Sequence, residues 1–342
     1  MRVLVTGMGG HLGTRVAQLL EERPDVDAVA GCDFVPPRRR LRRATFTRID
    51  PRDRERLVGF VRDFAPTAVA HFGVYEPGAR LGLRAAVSAT ENCTVNALGA
   101  AARAGALGCV VVRSGLEVYG RGRRLAEVPD EQSPLGPSTP FGRALLDVEA
   151  HGADLARRHG IPVAALRLAP VAGSRAPSPL GRLLRLPAVP VPALADPPFQ
   201  LLHTDDAAAA MVTALVRRAE GAFNVVGPGA ASPWQAVGLG RRVPVPTAGP
   251  GWRVASRVAE IAGAPVPDHV LELMRRGRVA DDGRARRELG LTGLIPTQQV
   301  LADLFAWASV TPAGRSENHG TSVAGIPSTP VAAAVPIKRM GA

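Results

Sequence analysis

Three glycines near the start of the chain, Gly7, Gly10 and Gly13, are spaced as a phosphate-binding turn requires. A short apolar run precedes them, and apolar residues at helical spacing follow. In such a strand–turn–helix unit the first glycine permits the tight turn, the second admits a pyrophosphate and the third lets the helix pack on the strand. Amides at the start of the helix, here those of His11 and Leu12, bind the phosphates. The spacing therefore predicts a dinucleotide site.

An acidic residue about 20 positions beyond such a turn binds the adenosine ribose. Asp33 follows the apolar run 26–30 and fits this role. Its carboxylate would accept hydrogen bonds from the ribose hydroxyls and repel a 2′-phosphate, which favours NAD. Arg38 and the two arginines after it follow closely, and arginine pairs well with phosphate. We therefore predict NAD or NADP as the cofactor, with NAD favoured by Asp33.

The elements that must position this turn alternate along the chain. Apolar runs predict strands near 2–6, 26–32, 44–48, 67–72, 107–113 and 161–167. Amphipathic segments predict helices near 11–22, 52–64, 84–104 and 138–159. Continuous apolar strands between helices are typical of a parallel sheet covered on both faces. The order predicts an α/β fold with a doubly wound parallel sheet that binds its ligand at the carboxyl ends of the strands.

Several further segments carry a resemblance to the extended short-chain dehydrogenase/reductases, the NAD-dependent epimerase/dehydratase family. Asp50 resembles the acid that contacts adenine in this family, and Gly73 ends a segment similar to the strand end beside the cofactor. The stretch from Ser114 to Gly120 is similar to the segment after the fifth strand. The segments 166–173, 203–206 and 222–225 stand where later signatures belong. The resemblance implies a Rossmann-type fold, a small-molecule substrate and cofactor contacts at Asp50 and Gly73, and it leaves a homodimer open.

The catalytic positions of that family are altered in this chain. The resemblance places the family's Tyr-x-x-x-Lys where the chain has Phe141 and Leu145, and its catalytic serine or threonine on Gly115. The only lysine is Lys338, near the C-terminal end of the sequence. The usual acid/base residues are therefore missing, and the resemblance transfers the cofactor more safely than the reaction.

Three other side chains are candidates for catalysis. Ser114 would donate to a substrate carbonyl or cap the strand end. Glu117 stands where sugar dehydratases of the family carry a glutamate, although it could equally contact loop arginines. Tyr75 follows the fourth strand and would replace the missing acid or stand as an aromatic at the rim. No metal is expected, because His203 and the two acids near it are typical of a strand end and the first turn of a helix.

Reduction of an activated ketone is the reaction that such a centre would retain most readily. It requires an electrophilic carbonyl, a positioned hydride and a proton from water, a serine or the substrate's own hydroxyl. We therefore predict an NAD(P)H-dependent ketoreductase, with an aromatic or polyketide ketone as the substrate. A nucleotide-sugar epimerase or dehydratase is the alternative, with a phosphate site from Arg182, Arg185 or Arg241. A non-catalytic NAD(P)-binding sensor or scaffold is the third hypothesis.

Three parts of the chain are predicted. Residues 1–173 and 204–226 would form the cofactor-binding domain, and residues 174–203 and 227–308 a mostly helical substrate-binding part. The proline-rich stretch 174–200 is predicted to be irregular with one short helix. Residues 309–342, rich in small and polar residues, are predicted to be a disordered tail.

The composition limits the classes of partner. The 342 residues carry a net charge of +12, which comes almost entirely from scattered arginines, and aromatic residues make up 4%. No nucleic-acid module is recognisable, so we expect no nucleic-acid partner. No apolar run reaches the roughly 18 residues of a membrane span, and the first residues are typical of a strand and not of a signal peptide. Three cysteines in apolar surroundings are typical of a reduced, cytoplasmic protein.

Overall fold

The structure is a computed structural model that describes residues 1–78, 81–120, 128–173 and 176–306. Strand and helix alternate through its first half, close to the predicted positions. The elements are β1 (Arg2–Thr6), α1 (His11–Glu21), β2 (Ala28–Asp33), β3 (Thr45–Arg48), α2 (Arg54–Phe64), β4 (Ala68–His71), α3 (Leu83–Arg103), β5 (Cys109–Gly115), α4 (Pro140–His159) and β6 (Val163–Leu168). One 3-10 turn, Leu116–Tyr119, follows β5 directly.

The second half is mostly helical, with short strands between the helices. Its elements are β7 (Val171–Ala172), α5 (Pro179–Leu184), β8 (Ala188–Pro192), β9 (Leu202–His203), α6 (Thr204–Val216), β10 (Gly221–Val225), α7 (Pro233–Leu239), β11 (Val243–Thr247), α8 (Gly251–Ile261), α9 (Asp268–Arg276), α10 (Gly283–Leu289) and α11 (Thr297–Ala306). The helices α7 to α11 agree with the predicted helical character of residues 227–308, as far as Ala306, where the described residues end.

A seven-stranded parallel sheet forms the centre of the fold, in the order β10-β6-β5-β4-β1-β2-β3. The chain adds β2 and β3 on one side of β1 and then crosses to add β4 on the other side. Ligands of such sheets bind in the crevice outside the carboxyl ends of the strands, at the point where the order reverses. The predicted doubly wound Rossmann-type fold is therefore confirmed, and the crevice lies at the ends of β1 and β4.

Apolar strands explain why this sheet is buried on both faces. Val110, Val111 and Val112 of β5 are all buried, as are the residues of β6. Helix α6 packs on α1, and β10 completes one edge of the sheet beside β6. A second cluster of buried apolar residues lies outside this core and is formed by chain after Val171. It includes Phe199, Leu273 and Leu301.

The prediction for residues 174–200 was wrong in one respect. The stretch contains the expected short helix α5, but β8 follows it and pairs in parallel with β11. Prolines stand at alternate positions in both strands, at 190 and 192 in β8 and at 244 and 246 in β11. Each proline is paired with a valine or a threonine of the other strand. A strand that is paired on one edge alone needs its N–H groups only at alternate residues, so prolines are tolerated at the others.

The predicted tail, residues 309–342, lies outside the described residues. No helix in the part of the chain that the structure describes is long and apolar enough to cross a membrane.

Candidate functional site

The glycine turn after β1 has the geometry that a phosphate cradle requires. Gly7 has a φ of +67°, and a Cβ on it would lie 2.3 Å from the carbonyl oxygen of Phe72. A Cβ on Gly13 would lie 2.3 Å from the carbonyl oxygen of Gly7. Both positions therefore require glycine. Gly7 requires it because its φ is positive, and both require it because main-chain atoms lie too close to leave room for a Cβ.

Gly10 leaves the start of α1 open. It is the N-cap of α1, and no side chain caps the helix there. A Cβ on Gly10 would meet only the carbonyl oxygen of Gly7, at 3.2 Å. The first-turn amides of a helix have no intrahelical acceptor, and the helix dipole adds positive potential at this point. The turn and the segment from His11 to Gly13 therefore fit the pyrophosphate of a dinucleotide.

Asp33 ends β2 beside this turn and is buried. Burial raises the pKa of its carboxyl group to about 6, although hydrogen bonds from the amides of Phe34, Val35 and Gly9 act in the opposite direction. The Phe34 amide donates to Oδ1 at 2.7 Å. The main chain thus holds an acceptor group at the position expected for the adenosine ribose.

Tyr75 lies against Asp33 and not in the cavity that contains Ser114. Its hydroxyl donates to Oδ1 of Asp33 over 3.4 Å, and its ring lies 5.3 Å from that of Phe34, centroid to centroid. Burial raises the pKa of the Tyr75 phenol well above its usual value. The structure therefore brings together Ser114 and Glu117 but not Tyr75, whose catalytic role stays a prediction.

The other predicted cofactor contacts surround the same crevice. The amide of Gly73, just beyond β4, donates to Oγ1 of Thr6 over 3.3 Å. Asp50 follows β3, and its carboxylate pairs with Arg52 at 2.6 Å, which lowers its pKa. Arg38 is exposed, and its amide donates to Oγ1 of Thr14 on α1 over 3.0 Å. All three contacts stay predictions.

A cavity opens beyond the carboxyl end of β5. Ser114, Glu117, Phe141 and Leu145 line it, together with residues of α5 and α9. Phe141 and Leu145 stand one helical turn apart on α4 and are buried. The two positions that resemble the family's tyrosine and lysine thus form an apolar wall of this cavity.

Glu117 occupies the space that a side chain at position 115 would need. A Cβ on Gly115 would lie 2.3 Å from Oε2 of Glu117. The other carboxylate oxygen accepts from Nη1 of Arg278 at 2.6 Å, and Nη2 of Arg278 binds Glu272 at 2.7 Å. Arg278 is only 1% exposed. Glu117 is therefore held as an ion pair, and its partner is a residue just after α9.

Ser114 belongs to a buried polar network. Its hydroxyl donates to Oε1 of Glu149 at 2.5 Å, and Arg167 on β6 binds the same carboxylate with Nε and Nη2. Arg167 also donates to the hydroxyl of Tyr119, which donates to Oδ1 of Asn224. Burial lowers the pKa of Arg167, but the hydrogen bonds and charge of Glu149 outweigh it and raise the pKa overall. The network fixes the Ser114 hydroxyl in place.

A histidine and a glutamate complete the cavity wall. The imidazole of His269, near the start of α9, lies over the Phe141 ring with centroids 4.6 Å apart. Its Nε2 is 2.9 Å from Oε1 of Glu76, which follows β4. Both residues line the cavity.

The chain was then compared with known proteins. The family described as "NAD dependent epimerase/dehydratase family" matches residues 3–226. The chain belongs to this family. Uncharacterized proteins of Mycobacterium bovis and Mycobacterium tuberculosis are 32% identical to it over 330 residues, which is 91% of this chain and 85% of theirs. The predicted family is therefore confirmed, and with it a nicotinamide dinucleotide as the cofactor of an enzyme of this class.

Solved structures of other enzymes share the fold. UDP-glucose 4-epimerase from Thermotoga maritima, solved with UDP-glucose, is 19% identical, with a TM-score of 0.69 over 90% of this chain and 98% of that one. UDP-glucuronic acid 4-epimerase from Bacillus cereus, in complex with NAD, is 20% identical, with a TM-score of 0.67 over the same shares of the two chains. At these identities the likeness establishes the fold alone.

Five charged or polar residues in or around the cavity have no signal in the sequence that was recognised. Glu76 and His269 line the cavity, Glu149 and Arg167 form the network behind Ser114, and Arg278 pairs with Glu117. Glu149 could have been found, because it stands one turn beyond Leu145 on the face of α4 that carries Phe141. The others come from distant elements, and no local spacing marks them.

The residues that look metal-like in the sequence are engaged elsewhere. The His203 ring caps α6 by accepting from the amide of Asp205 over 3.2 Å. Asp205 pairs with Arg15 at 2.6 Å, and Asp206 accepts from the amide of Ile295 at 2.7 Å. Among the residues that the structure describes, no group of three or more histidine, cysteine or acidic side chains is arranged to hold a metal ion.

Proposed function

We propose that this protein is a ketoreductase that reduces an activated ketone with NAD(P)H. The observation that carries the proposal is the apolar wall formed by Phe141 and Leu145. Oxidation of an alcohol requires a base that removes the hydroxyl proton as hydride leaves, and the family's tyrosine and lysine normally do this. Reduction needs a polarised carbonyl, correct placement of the reactants and a proton at the end of the step, so it tolerates their loss better.

The residues of this chain have three tasks in the proposed reaction. The start of α1 and the Asp33 carboxylate bind the cofactor, which supplies the hydride. The cavity beyond β5 would hold the ketone beside the end of that strand and away from bulk water. Apolar side chains form much of its lining, which supports an aromatic or polyketide ketone as the substrate. These side chains are Phe141, Leu145, Leu168, Leu180 and Leu273.

A nucleotide-sugar epimerase or dehydratase is the second candidate, and one arrangement of arginines favours it. Burial lowers the pKa of Arg185, and the charge of Arg242 lowers it further, so the two guanidinium groups lie close together. Two like charges in one place suit a diphosphate. Two of the structurally similar enzymes are epimerases of UDP-sugars.

A single-turnover experiment separates the candidates. The protein is mixed with NADH or NADPH and a panel of aromatic and polyketide ketones, and nicotinamide absorbance is followed. In parallel, it is incubated with NAD and UDP-glucose, and the sugar is analysed. We expect ketone-dependent oxidation of NAD(P)H and no sugar epimerisation. The opposite pattern, lost in Arg185→Ala, would establish the epimerase. Cofactor binding without turnover of either substrate would favour a sensor or scaffold.

The three candidate catalytic side chains provide a prediction of their own. Ser114→Ala, Tyr75→Phe and Glu117→Gln should each lower the reduction rate by less than the roughly 10²–10⁴-fold expected for a true general acid. Each side chain is already engaged, by Glu149, Asp33 and Arg278 respectively. Rates are measured in single turnovers, with thermal unfolding and NADH affinity as controls. A loss of about 10³-fold or more in one folded variant would identify that side chain as the donor.

A further inference from the structure

His269 and Glu76 form a polar pair inside the cavity to which the sequence analysis assigned no role. The His269 side chain is 5% exposed, and its ring is held against Phe141 at an interplanar angle of 39°. Nε2 lies 2.9 Å from Oε1 of Glu76. Because the stacked ring and the hydrogen bond together restrict rotation, the imidazole has one fixed orientation in the cavity wall.

We propose that His269 is the proton donor of this cavity and that Glu76 is its positioning residue. The inference rests on the proposed function, because ketone reduction ends with protonation of an oxygen. Nε2 is engaged by Glu76, so Nδ1 is the nitrogen that would donate the proton. As hydride adds to the carbonyl carbon, the carbonyl π pair moves to oxygen and takes the Nδ1 proton of the imidazolium. The products are the alcohol and the oxidised cofactor, and the neutral ring is later protonated by solvent.

The position of the pair supports this role. Phe141 stands where the resemblance places the family's acidic tyrosine. Its ring packs against the imidazole of His269, with a centroid distance of 4.6 Å. Ser114 and Glu117 line the same cavity, so the imidazole shares one enclosed space with the end of β5. Phe141 on α4 therefore packs against the proposed donor, His269, which comes from α9.

The charge of Glu76 also suits a proton donor. Burial raises the pKa of Glu76, but the hydrogen bond and charge of His269 outweigh it, and Arg113 and Arg182 add to the lowering. The carboxyl group is therefore ionised at neutral pH. The ionised carboxylate is a hydrogen-bond acceptor for Nε2 of His269, 2.9 Å away, and holds the ring in position.

A second cavity gives the pair access to solvent. Phe141 and His269 also line a second cavity, together with Asp268 and Glu260. The Glu76 side chain is 30% exposed. Water can therefore reach the His269 side chain from this second cavity.

Single-turnover oxidation of NADH by the ketone panel tests the inference. His269→Gln should lower the rate by about 10²–10⁴-fold, and added imidazole should partly restore His269→Ala. Glu76→Gln should lower the rate constant and leave the KM for the ketone unchanged. His159→Gln is the matched control, because His159 is exposed at the end of α4. A His269→Gln rate within about tenfold of the wild type, with folding and NADH affinity preserved, would overturn the inference and assign the proton to water or substrate.

A second measurement separates this inference from the proposed function. If the wild type oxidises NADH with none of the ketones, the ketoreductase proposal fails. The role of His269 is then decided with 2-bromoacetophenone, whose bromide is displaced when an imidazole nitrogen attacks the methylene carbon. Peptide mass spectrometry should find the phenacyl group on His269. Modification of His159 with none on His269 would refute the assignment.

Discussion

At the scale of single residues, Gly115 and Glu117 depend on each other. Gly115 has no side chain, and the Glu117 carboxylate fills the space that one would need. That carboxylate is buried, so it requires a cation, and Arg278 supplies it at 2.6 Å. A serine at position 115 alone would collide with this ion pair. Return of the family's residues one at a time is therefore not expected to restore the family's chemistry.

Asp33 gives a prediction for the pH dependence of cofactor binding. Its carboxyl group has a pKa of about 6 in the cofactor-free protein. Ribose hydroxyls that donate to the carboxylate stabilise its ionised form, so the pKa falls in the complex and a protonated Asp33 must lose its proton on binding. NADH affinity should therefore be constant above this pH and fall below it, by at most about tenfold per pH unit.

Calorimetric titration between about pH 5 and pH 8 measures this dependence. Asp33→Asn is the matched variant, because an amide of the same size has no proton to lose, and its NADH affinity should stay flat over the range. NADPH affinity should suffer less on acidification, since protonation removes the repulsion between the carboxylate and the 2′-phosphate. A wild-type profile as flat as that of Asp33→Asn would remove Asp33 from the ribose site, and a preference for NADPH would assign Arg38 to the phosphate.

At the scale of elements, the unit formed by β1, the glycine turn and α1 positions the cofactor. Gly7 and Gly13 are packed so closely on main chain that a substitution at either would damage the fold. Gly10 differs, because its φ of −67° is open to any residue and its Cβ would meet only one atom, at 3.2 Å. Gly10 is therefore the position at which cofactor binding and folding can be separated.

Gly10→Val should weaken NADH binding strongly and leave the fold intact. The branched side chain would stand at the open start of α1, where the pyrophosphate must approach the amides. Calorimetry measures the affinity, and circular dichroism measures folding. Gly59→Val on α2 is the control, since a Cβ there would meet no atom within 4 Å. The site is misplaced if Gly10→Val binds NADH as well as the control does.

At the scale of the whole molecule, two apolar cores are joined by buried charges. The central sheet provides one core, and residues after Val171 provide the other. Arg278 lies between the turn after β5 and helix α9, with Glu117 on one side and Glu272 on the other. Because the cavity lies at this junction, its shape depends on how the two cores are held together.

Arg278→Met should destabilise the protein by about 3–5 kcal/mol, because it leaves two buried carboxylates without their cation. Thermal and urea unfolding measure the loss. Arg253→Met is the control, since Arg253 is exposed on α8. Addition of Glu117→Gln and Glu272→Gln to Arg278→Met should recover part of the loss. A change below about 1 kcal/mol would mean that the junction does not depend on this ion pair.

The sequence by itself determined the phosphate-binding turn, the acidic residue after β2 and the alternation that builds the parallel sheet. These features are local: glycine spacing, apolar runs and helical periodicity act over a few residues. It also predicts that Phe141 and Leu145 stand at the family's catalytic positions, which stays a prediction. The pairing of β8 with β11 was missed, because prolines at alternate positions conceal a strand that is paired on one edge alone.

The tertiary structure alone decided which charged residues meet around the cavity. Arg278 is 161 residues from Glu117 in the chain, and His269 is 193 residues from Glu76. Periodicity specifies which residues share a face of one helix or strand, and on that basis Glu149 was within reach. It does not specify which distant elements meet. The buried pairs exist because the two cores pack together, and only that packing brings their charges within hydrogen-bond distance.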